Sequence, residues 1–370
     1  MNIFDNYLSK INKVILDNKK TLKISILDNL DKASLEVPPE YFNYDLSSNI
    51  SLVLGKSNKL NPINLANDIK NLLLKKINHF KKIDIAGPGF LNIKLSTEAW
   101  LQIIENIKKN KKTFGSNKKK NKYNIEFVSA NPTGPLHIGH CRGAIFGDVL
   151  SNLLKFNGNK VVKEFYINDY GKQIDDFSKS IYFRLKQIKF NTNFPNDSSL
   201  YPGQYIIEIS KQILKRQPNI NLDNFDKIKK KLKTQGLKYS MELIKSDLKD
   251  LGISHDNFFS ETKLIKNKSV EKVIKVLKKK NLIVEGYLEP PKGEVNQDWK
   301  KVKRLIFKSS LFGDDTDRAL TKNDNTWTYF ANDLAYHSNK VSRKYDYLIN
   351  ILGADHAGYI KRISSSVEAL

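Results

Sequence analysis

The chain has 370 residues, 40% of them hydrophobic, and 63 Lys and Arg against 39 Asp and Glu, for a formal net charge of +24. That length predicts roughly two or three domains, each able to bury a core of its own. No run of about 18 apolar residues occurs and Met1 to Lys20 lacks the apolar stretch of a secretory signal, while the lone Cys141 excludes a disulfide framework and a cysteine-based zinc site and fits a reducing cytoplasm. The positive charge fits a polyanionic partner such as nucleic acid. A Lys-, Asn- and Ile-rich composition of the kind produced by A/T-rich coding gives the same excess without such a partner, and Arg, the better bidentate phosphate ligand, is scarce.

In chain order, helical patterning covers Asn6 to Asp31 and Pro62 to Phe80. A strand pair follows, Ile83–Ile85 and Phe90–Leu95, around the turn Gly87-Pro-Gly89. Ser96 is placed to cap the next helix, with Trp100, Ile103 and Ile107 on one face. Residues 1–112 therefore read as a small α+β domain. Lys108 to Lys122 is lysine-dense and nearly free of apolar residues, and 113–122 reads as a solvated basic linker, a strap over an RNA backbone being the functional alternative.

From Tyr123 the pattern changes. A strand (Tyr123–Ala130), a Pro/Gly turn, a helix (Ile138–Phe156) stopped at Gly158, a strand (Val161–Ile167) and a helix from Gln173 form the first half of a doubly wound parallel sheet. Asn191–Gln217 is loop-rich. The helical stretches Phe225–Leu251 and Val270–Asn281 read as an insertion, at about residues 190–300, between two α/β halves; strands return at Arg304–Lys308, Trp327–Phe330 and Tyr347–Leu352. The predicted fold is α/β: a Rossmann-like nucleotide-binding catalytic domain over 123–370 with a helical insertion, incomplete at its C-terminal end, preceded by the α+β domain.

The segment Glu126-Phe-Val-Ser-Ala-Asn-Pro-Thr-Gly-Pro-Leu-His-Ile-Gly-His140 carries the strongest chemistry. A strand feeding a helix N-terminus through a glycine turn points backbone N–H groups and the positive helix end at an anion. His137 and His140, three apart, share one helical face. No serine or cysteine nucleophile stands beside them and no third metal ligand is near, so they read as donors to a phosphoryl group whose charge develops in the transition state. Gly134 shapes the entry, and Gly139 leaves room for a flat base on the backbone. Glu126 sits in an otherwise apolar strand just before the turn and Asp333 follows an aromatic one; strand-end exposure and helix capping are their ordinary alternatives. Gly353, Asp355 and His356 follow the apolar strand Tyr347–Leu352, at the carboxyl end where such folds bind ligands. Asn168, Asp169 and Gln173 read as substrate contacts or as a turn with a helix cap, Tyr201–Tyr205 as a turn, Cys141 as helix packing, and His255 and His337 as packed or surface residues.

His137-Ile-Gly-His140 within NPTGPLHIGHCRGAIFGD resembles the signature of class I aminoacyl-tRNA synthetases in its arginyl form. Tyr166–Ile174, Leu311–Arg318, Trp327–His337 and Gly353–Tyr359 resemble later blocks of that family in the same order, and Tyr44–Asn49 with Gly87–Ile93 resembles its N-terminal add-on domain, so the likeness covers nearly the whole chain. The resemblance implies ATP-dependent arginine activation and transfer to tRNA(Arg). ATP with Mg2+ would enter as a substrate complex, with no zinc and no tightly bound cofactor. His137 and His140 would be catalytic; Gly134, Gly139, Gly353, Asp355 and His356 would join them at ATP; Glu126, Asn131, Tyr329 and Asp333 would line the arginine pocket. The add-on domain would touch the tRNA body. A cytoplasmic monomer without membrane association is expected. No KMSKS-like motif is found and the sequence stops within a helical pattern at Ser364–Leu370, so a truncated chain or one half of a split product is the expectation, with a non-catalytic RNA-binding fragment as the alternative function.

Overall fold

The structure, a computed structural model, describes residues 2–116, 120–288, 302–353 and 358–370. The chain divides into two compact units, residues 1–119 with 156–158 and residues 120–155 with 159–370. No helix among the described residues is long and apolar enough to cross a membrane.

The first unit runs α1 (Ile3–Asp17), β1 (Leu35–Glu36), β2 (Leu46–Ser48), α2 (Ile50–Asn58), α3 (Pro62–Lys76), β3 (Phe80–Ala86), β4 (Phe90–Leu95) and α4 (Thr97–Asn110). Its antiparallel sheet has the order β1-β2-β4-β3. α3 shows how the sequence sets an element. Asn61 accepts from the amides of Ile63 and Asn64, Pro62 occupies the first turn, and Leu65, Ile69 and Leu73 recur at helical spacing on the buried face. Gly89 closes the β3–β4 turn at φ +133°, where a Cβ would also lie 3.2 Å from the Pro62 carbonyl oxygen. Ser96 accepts from the Ala99 amide as the sequence predicts, but only Ile103 of the expected apolar face is buried; Trp100 and Ile107 are exposed. The helix read over Asn6–Asp31 ends at Asp17, and α4 extends to Asn110, into the lysine-dense stretch.

The second unit runs β5 (Lys122–Glu126), α5 (Ile138–Phe156), β6 (Lys160–Ile167), α6 (Lys172–Phe190), α7 (Gln204–Arg216), α8 (Phe225–Asp250), β7 (Asn257–Ser260), α9 (Glu261–Lys266), α10 (Ser269–Lys279), β8 (Ile283–Gly286), β9 (Arg304–Phe307), β10 (Arg318–Ala319), α11 (Tyr329–Ser342), β11 (Tyr347–Asn350) and α12 (Ile360–Ala369). β11, β5, β6 and β7 form a parallel sheet in that order, and β10, β9 and β8 a small antiparallel one. The carboxyl ends of all four parallel strands thus share one edge, with the following loops gathered there. α6, α7 and α8 pack on a separate core that includes Phe177, Ile181, Ile206 and Leu232.

Three elements differ from the sequence reading. β7 belongs to the parallel sheet, so residues 190–300 are not a purely helical insertion; a four-residue strand is too short to show alternation. Trp327 makes only an isolated bridge with Thr321, and Tyr329 and Phe330 open α11 because the Thr328 side chain caps it by accepting from the Ala331 amide. β5 stops at Glu126 rather than Ala130, because Val128 and Ser129 adopt φ of +68° and +43°.

Candidate active site

The turn after β5 is anchored tightly. Consecutive non-glycine residues at positive φ cost on the order of 1–3 kcal/mol each, most for a β-branched valine. The Phe127 amide donates to the Glu164 carbonyl at 3.2 Å, and Phe127 is fully buried. The Ser129 hydroxyl donates to Glu126 Oε1 at 3.0 Å and accepts from the Tyr166 amide at 3.1 Å. α5 is seated by Gly147, where a Cβ would come within 2.6 Å of the Phe127 ring, and by the Lys163–Asp148 ion pair at 2.6 Å.

At the start of α5 the His137 and His140 rings lie 3.8 Å apart between centroids. His140 Nδ1 accepts from the His137 amide at 3.2 Å, and His137 Nδ1 accepts from the Gly139 amide at 3.1 Å. With each Nδ1 accepting, the N–H of each ring falls to Nε2, which is left to donate. Burial and the neighbouring His137 push the His140 imidazole below the ordinary histidine range. Gly139 has a local reason beyond base stacking: a Cβ there would meet His137 Cε1 at 2.9 Å. Gly134 lies against Tyr205, whose hydroxyl oxygen would be 3.5 Å from a Cβ, so the Tyr201–Tyr205 block meets the turn.

The loop after β6 contributes a polar chain. Asn168 Nδ2 donates to Asn131 Oδ1 at 3.2 Å, and Asn131 Nδ2 donates to Gln173 Oε1 at 3.3 Å. Asp169 is a helix-start ligand instead, taking the Ser260 hydroxyl at 2.5 Å and the Thr262 amide at 2.8 Å at the beginning of α9.

The acids are distributed unevenly over cations. Glu164, fully buried, accepts both Arg343 terminal nitrogens at 2.5 and 2.7 Å, Asn257 at 2.7 Å and the Tyr336 hydroxyl at 2.7 Å. Burial raises its pKa, but Arg343 and the neutral donors outweigh that and hold it at about 2. Glu126 Oε2 takes the ammonium of fully buried Lys340 and the Tyr336 hydroxyl at 2.9 Å. Asp333, one helical turn beyond Tyr329 on α11, has a neutral partner, the Tyr359 hydroxyl at 2.6 Å. Burial, opposed by that hydrogen bond and aided by the Glu126 charge, pushes Asp333 up to about 6. Glu261, 4% exposed at the start of α9, takes Asn332 Nδ2 at 2.8 Å, and burial with the charges of Asp333 and Asp169 pushes it up to about 7. Among the described residues Glu126 and Glu164 make ion pairs with cations, whereas Asp333 and Glu261 make none, although the Lys233 charge acts on Glu261.

Tyr329 is 65% exposed on α11, with Lys322 Nζ 5.4 Å from its ring centroid. Gly353 is exposed after β11. Asp355 and His356 lie outside the described residues. Sequence reasoning missed Glu164, Glu261, Tyr336, Lys340 and Arg343. Charges on the inner face of α11, at 340 and 343, were the available signal. His337, expected merely to pack, donates from Nδ1 to the Asp333 carbonyl at 2.9 Å and accepts at Nε2 from Asn350 at 2.9 Å. Among the described residues no group of three or more His, Cys, Asp or Glu side chains is placed to hold a metal ion.

The parallel sheet, the histidine-bearing helix start at its carboxyl edge and the acid-lined flank define an α/β protein of the doubly wound kind. Residues 8–95 match the arginyl tRNA synthetase N terminal domain and residues 102–367 the catalytic domain of class I (R) tRNA synthetases. The chain belongs to the class I arginyl-tRNA synthetase family. It is 50% identical over 373 residues to an arginine--tRNA ligase of Pelagibacter ubique, covering 100% of this chain and 65% of that protein. An arginine--tRNA ligase of the Wolbachia of Brugia malayi is 43% identical, with 100% of this chain and 64% of the relative covered. The chain therefore spans somewhat under two thirds of these relatives' length. The crystal structure of a Plasmodium falciparum arginyl-tRNA synthetase, 17% identical, superposes with a TM-score of 0.65 over 98% of this chain and 62% of that one, a likeness of fold.

Proposed function

We propose that this chain carries the arginine-activating part of an arginine–tRNA ligase. Arginine's carboxylate attacks the α-phosphorus of ATP, supplied with Mg2+ as substrate; the bond to pyrophosphate breaks, and arginyl-adenylate forms. A terminal ribose hydroxyl of tRNA(Arg) then attacks the activated carbonyl and releases AMP. The observation that carries the reading is the charge imbalance: Asp333 and Glu261 are acids held by neutral donors, Tyr359 and Asn332. A bound guanidinium supplies the missing positive charge and five fixed N–H donors.

His137 and His140 offer their Nε2–H groups to the α-phosphate as charge accumulates there, at a helix start whose dipole favours anions. Gly134, Gly139 and Gly353 let the nucleotide approach the backbone, and Asp355 and His356 complete the adenosine side. Asn131, braced by Asn168 and Gln173, holds the amino-acid end of the substrate. Tyr329 folds over the guanidinium, and Glu126 forms the far wall of its pocket. The N-terminal domain, residues 1–112, contacts the tRNA body, and 113–122 is the solvated basic linker that follows it. A monomeric cytoplasmic protein fits this role.

Thermal protection tests the substrate. Arginine with ATP raises the melting temperature, by the equivalent of about 2.7 kcal/mol at a hundredfold excess over Kd, while leucine and glutamate do not. Protection by either of those in place of arginine ends the assignment. Arginine-dependent exchange of pyrophosphate into ATP, measured with tRNA present, then tests the chemistry.

A further inference from the structure

We propose that Lys340 is the positioning residue of the arginine pocket, acting through Glu126. This rests on the arginine reading above. Lys340 has no exposed surface, although lysine is among the residues least often buried. Its ammonium donates to Glu126 Oε2 and to Asn350 Oδ1, the latter at 2.7 Å, and lies 4.7 Å from the centroid of the Tyr336 ring. Asn350 then donates to His337 Nε2, and His337 Nδ1 donates to the carbonyl of Asp333. One cation is thereby tied directly to the Glu126 carboxylate and, through Asn350 and His337, to the backbone carbonyl of Asp333. On one side it fixes the end of β5 and the strained turn behind it; on the other it fixes the backbone of α11 at Asp333.

The arrangement gives Lys340 a selective role. It neutralises Glu126 and occupies Oε2, while Oε1, which takes the Ser129 hydroxyl at 3.0 Å, keeps a lone pair in a defined direction. A planar guanidinium can meet an acceptor so directed together with Asp333, whereas a point-charge ammonium gains less from direction. Without Lys340 the Glu126 charge is buried and uncompensated, and any cation entering the pocket relieves it. Arg343 cannot substitute, because both its terminal nitrogens are engaged by Glu164.

The test compares arginine and lysine binding by calorimetry for the parent chain, Lys340→Met, Lys340→Arg, Glu126→Gln and the Glu126→Gln/Lys340→Met pair. Lys340→Met is expected to lower the arginine-to-lysine affinity ratio by about tenfold. Lys340→Arg is expected to keep that ratio within about threefold of the parent's. In the Glu126→Gln background, Lys340→Met is expected to change the ratio by less than about twofold, since an effect transmitted through Glu126 vanishes with its charge. Lost thermal stability with an unchanged ratio, or an equal drop in the Glu126→Gln background, overturns the proposal. If Lys340→Met does not fold, the neutral pair compared with Glu126→Gln decides alone: matching ratios support the proposal, and a further drop overturns it. A parent chain that fails to bind arginine removes the arginine reading itself and this role with it, an outcome distinct from normal parent binding with an indifferent Lys340→Met.

Discussion

Glu126 and Glu164 are register partners on adjacent parallel strands, and the single hydroxyl of Tyr336 reaches both, at 2.9 and 2.7 Å. A phenol has one proton, so it can donate fully to only one carboxylate at a time. The two acids tolerate this closeness because each has its own cation, Lys340 for Glu126 and Arg343 for Glu164. Tyr336→Phe is therefore expected to cost only about 1–2 kcal/mol in urea unfolding, while Arg343→Met costs about 3–5 kcal/mol by stranding buried Glu164. Because Glu164 is held at about 2 in the folded chain, below its ordinary 4.5, its contribution is present above pH 4.5 and is lost as pH falls toward 2. Acid unfolding of Arg343→Met measures that loss as a shallower dependence.

Asp333 and Glu261 predict the opposite sign. Their folded values of about 6 and about 7 lie above the ordinary carboxylate range, so both keep protons to higher pH than ordinary acids, and under the proposed function an incoming guanidinium displaces them. Arginine affinity is expected to rise between about pH 5 and pH 8, and binding near pH 6 to release protons. Calorimetry in two buffers of different ionisation enthalpy reads that release directly, and Asp333→Asn abolishes its Asp333 share together with most of the affinity.

His255 provides a pH effect on folding. Its ring packs against Phe127, with centroids 4.2 Å apart, and burial is the main cause that lowers its pKa to about 4. The unfolded chain binds a proton near pH 6.5 that the folded chain refuses, so this residue destabilises the fold as pH drops from 6.5 to 4. His255→Phe is expected to lose that slope; the difference between the two unfolding profiles isolates the histidine from the carboxylates.

Two glycines of α5 should respond oppositely to alanine. Gly143 has open space around a would-be Cβ, so Gly143→Ala is expected to stabilise by about 0.5–1 kcal/mol through helix propensity. At Gly147 a Cβ meets the Phe127 ring, and Gly147→Ala is expected to destabilise by about 1–3 kcal/mol and to shift the helix that carries the histidines. Urea melts of both variants check the signs.

His140→Ala tests the chemistry. Pyrophosphate exchange at saturating arginine is expected to fall by about 10²–10³-fold while arginine affinity stays within about threefold, because the Nε2–H donor acts on charge that develops at the transition state. An equal loss in both would place the residue in binding rather than in catalysis.

The parallel sheet and the turn that leads into the histidine-bearing helix were legible because they rest on local signals: an apolar run, a Pro/Gly turn, and histidines three apart. The left-handed pair Val128–Ser129 was not, since a valine at positive φ violates local preference and the turn is fixed in part by tertiary contacts, from Phe127 to Glu164 and from Tyr166 to Ser129. The first turn of α11 was mistaken for a strand because Trp327-Thr-Tyr-Phe330 has the aromatic and β-branched content of one, and the Thr328 cap overrides it. Glu126 and Asp333 were legible as candidate acids. Lys340 was not, because periodicity says which face of a helix is apolar and nothing of a charge that the fold buries in a pair.

β5 lies between β6, its near neighbour in sequence, and β11, whose Tyr347 pairs with Tyr123 more than two hundred positions away. During synthesis the N-terminal unit can settle while the ribosome is still reading, but the strand carrying Glu126 waits for more than two hundred further residues before its second edge is covered. High contact order of this kind slows folding and leaves an unpaired strand edge open to misassembly. A nascent chain in which β11 has not yet emerged exposes that edge, so the interval between synthesis of β5 and synthesis of β11 is when this strand most needs chaperone protection.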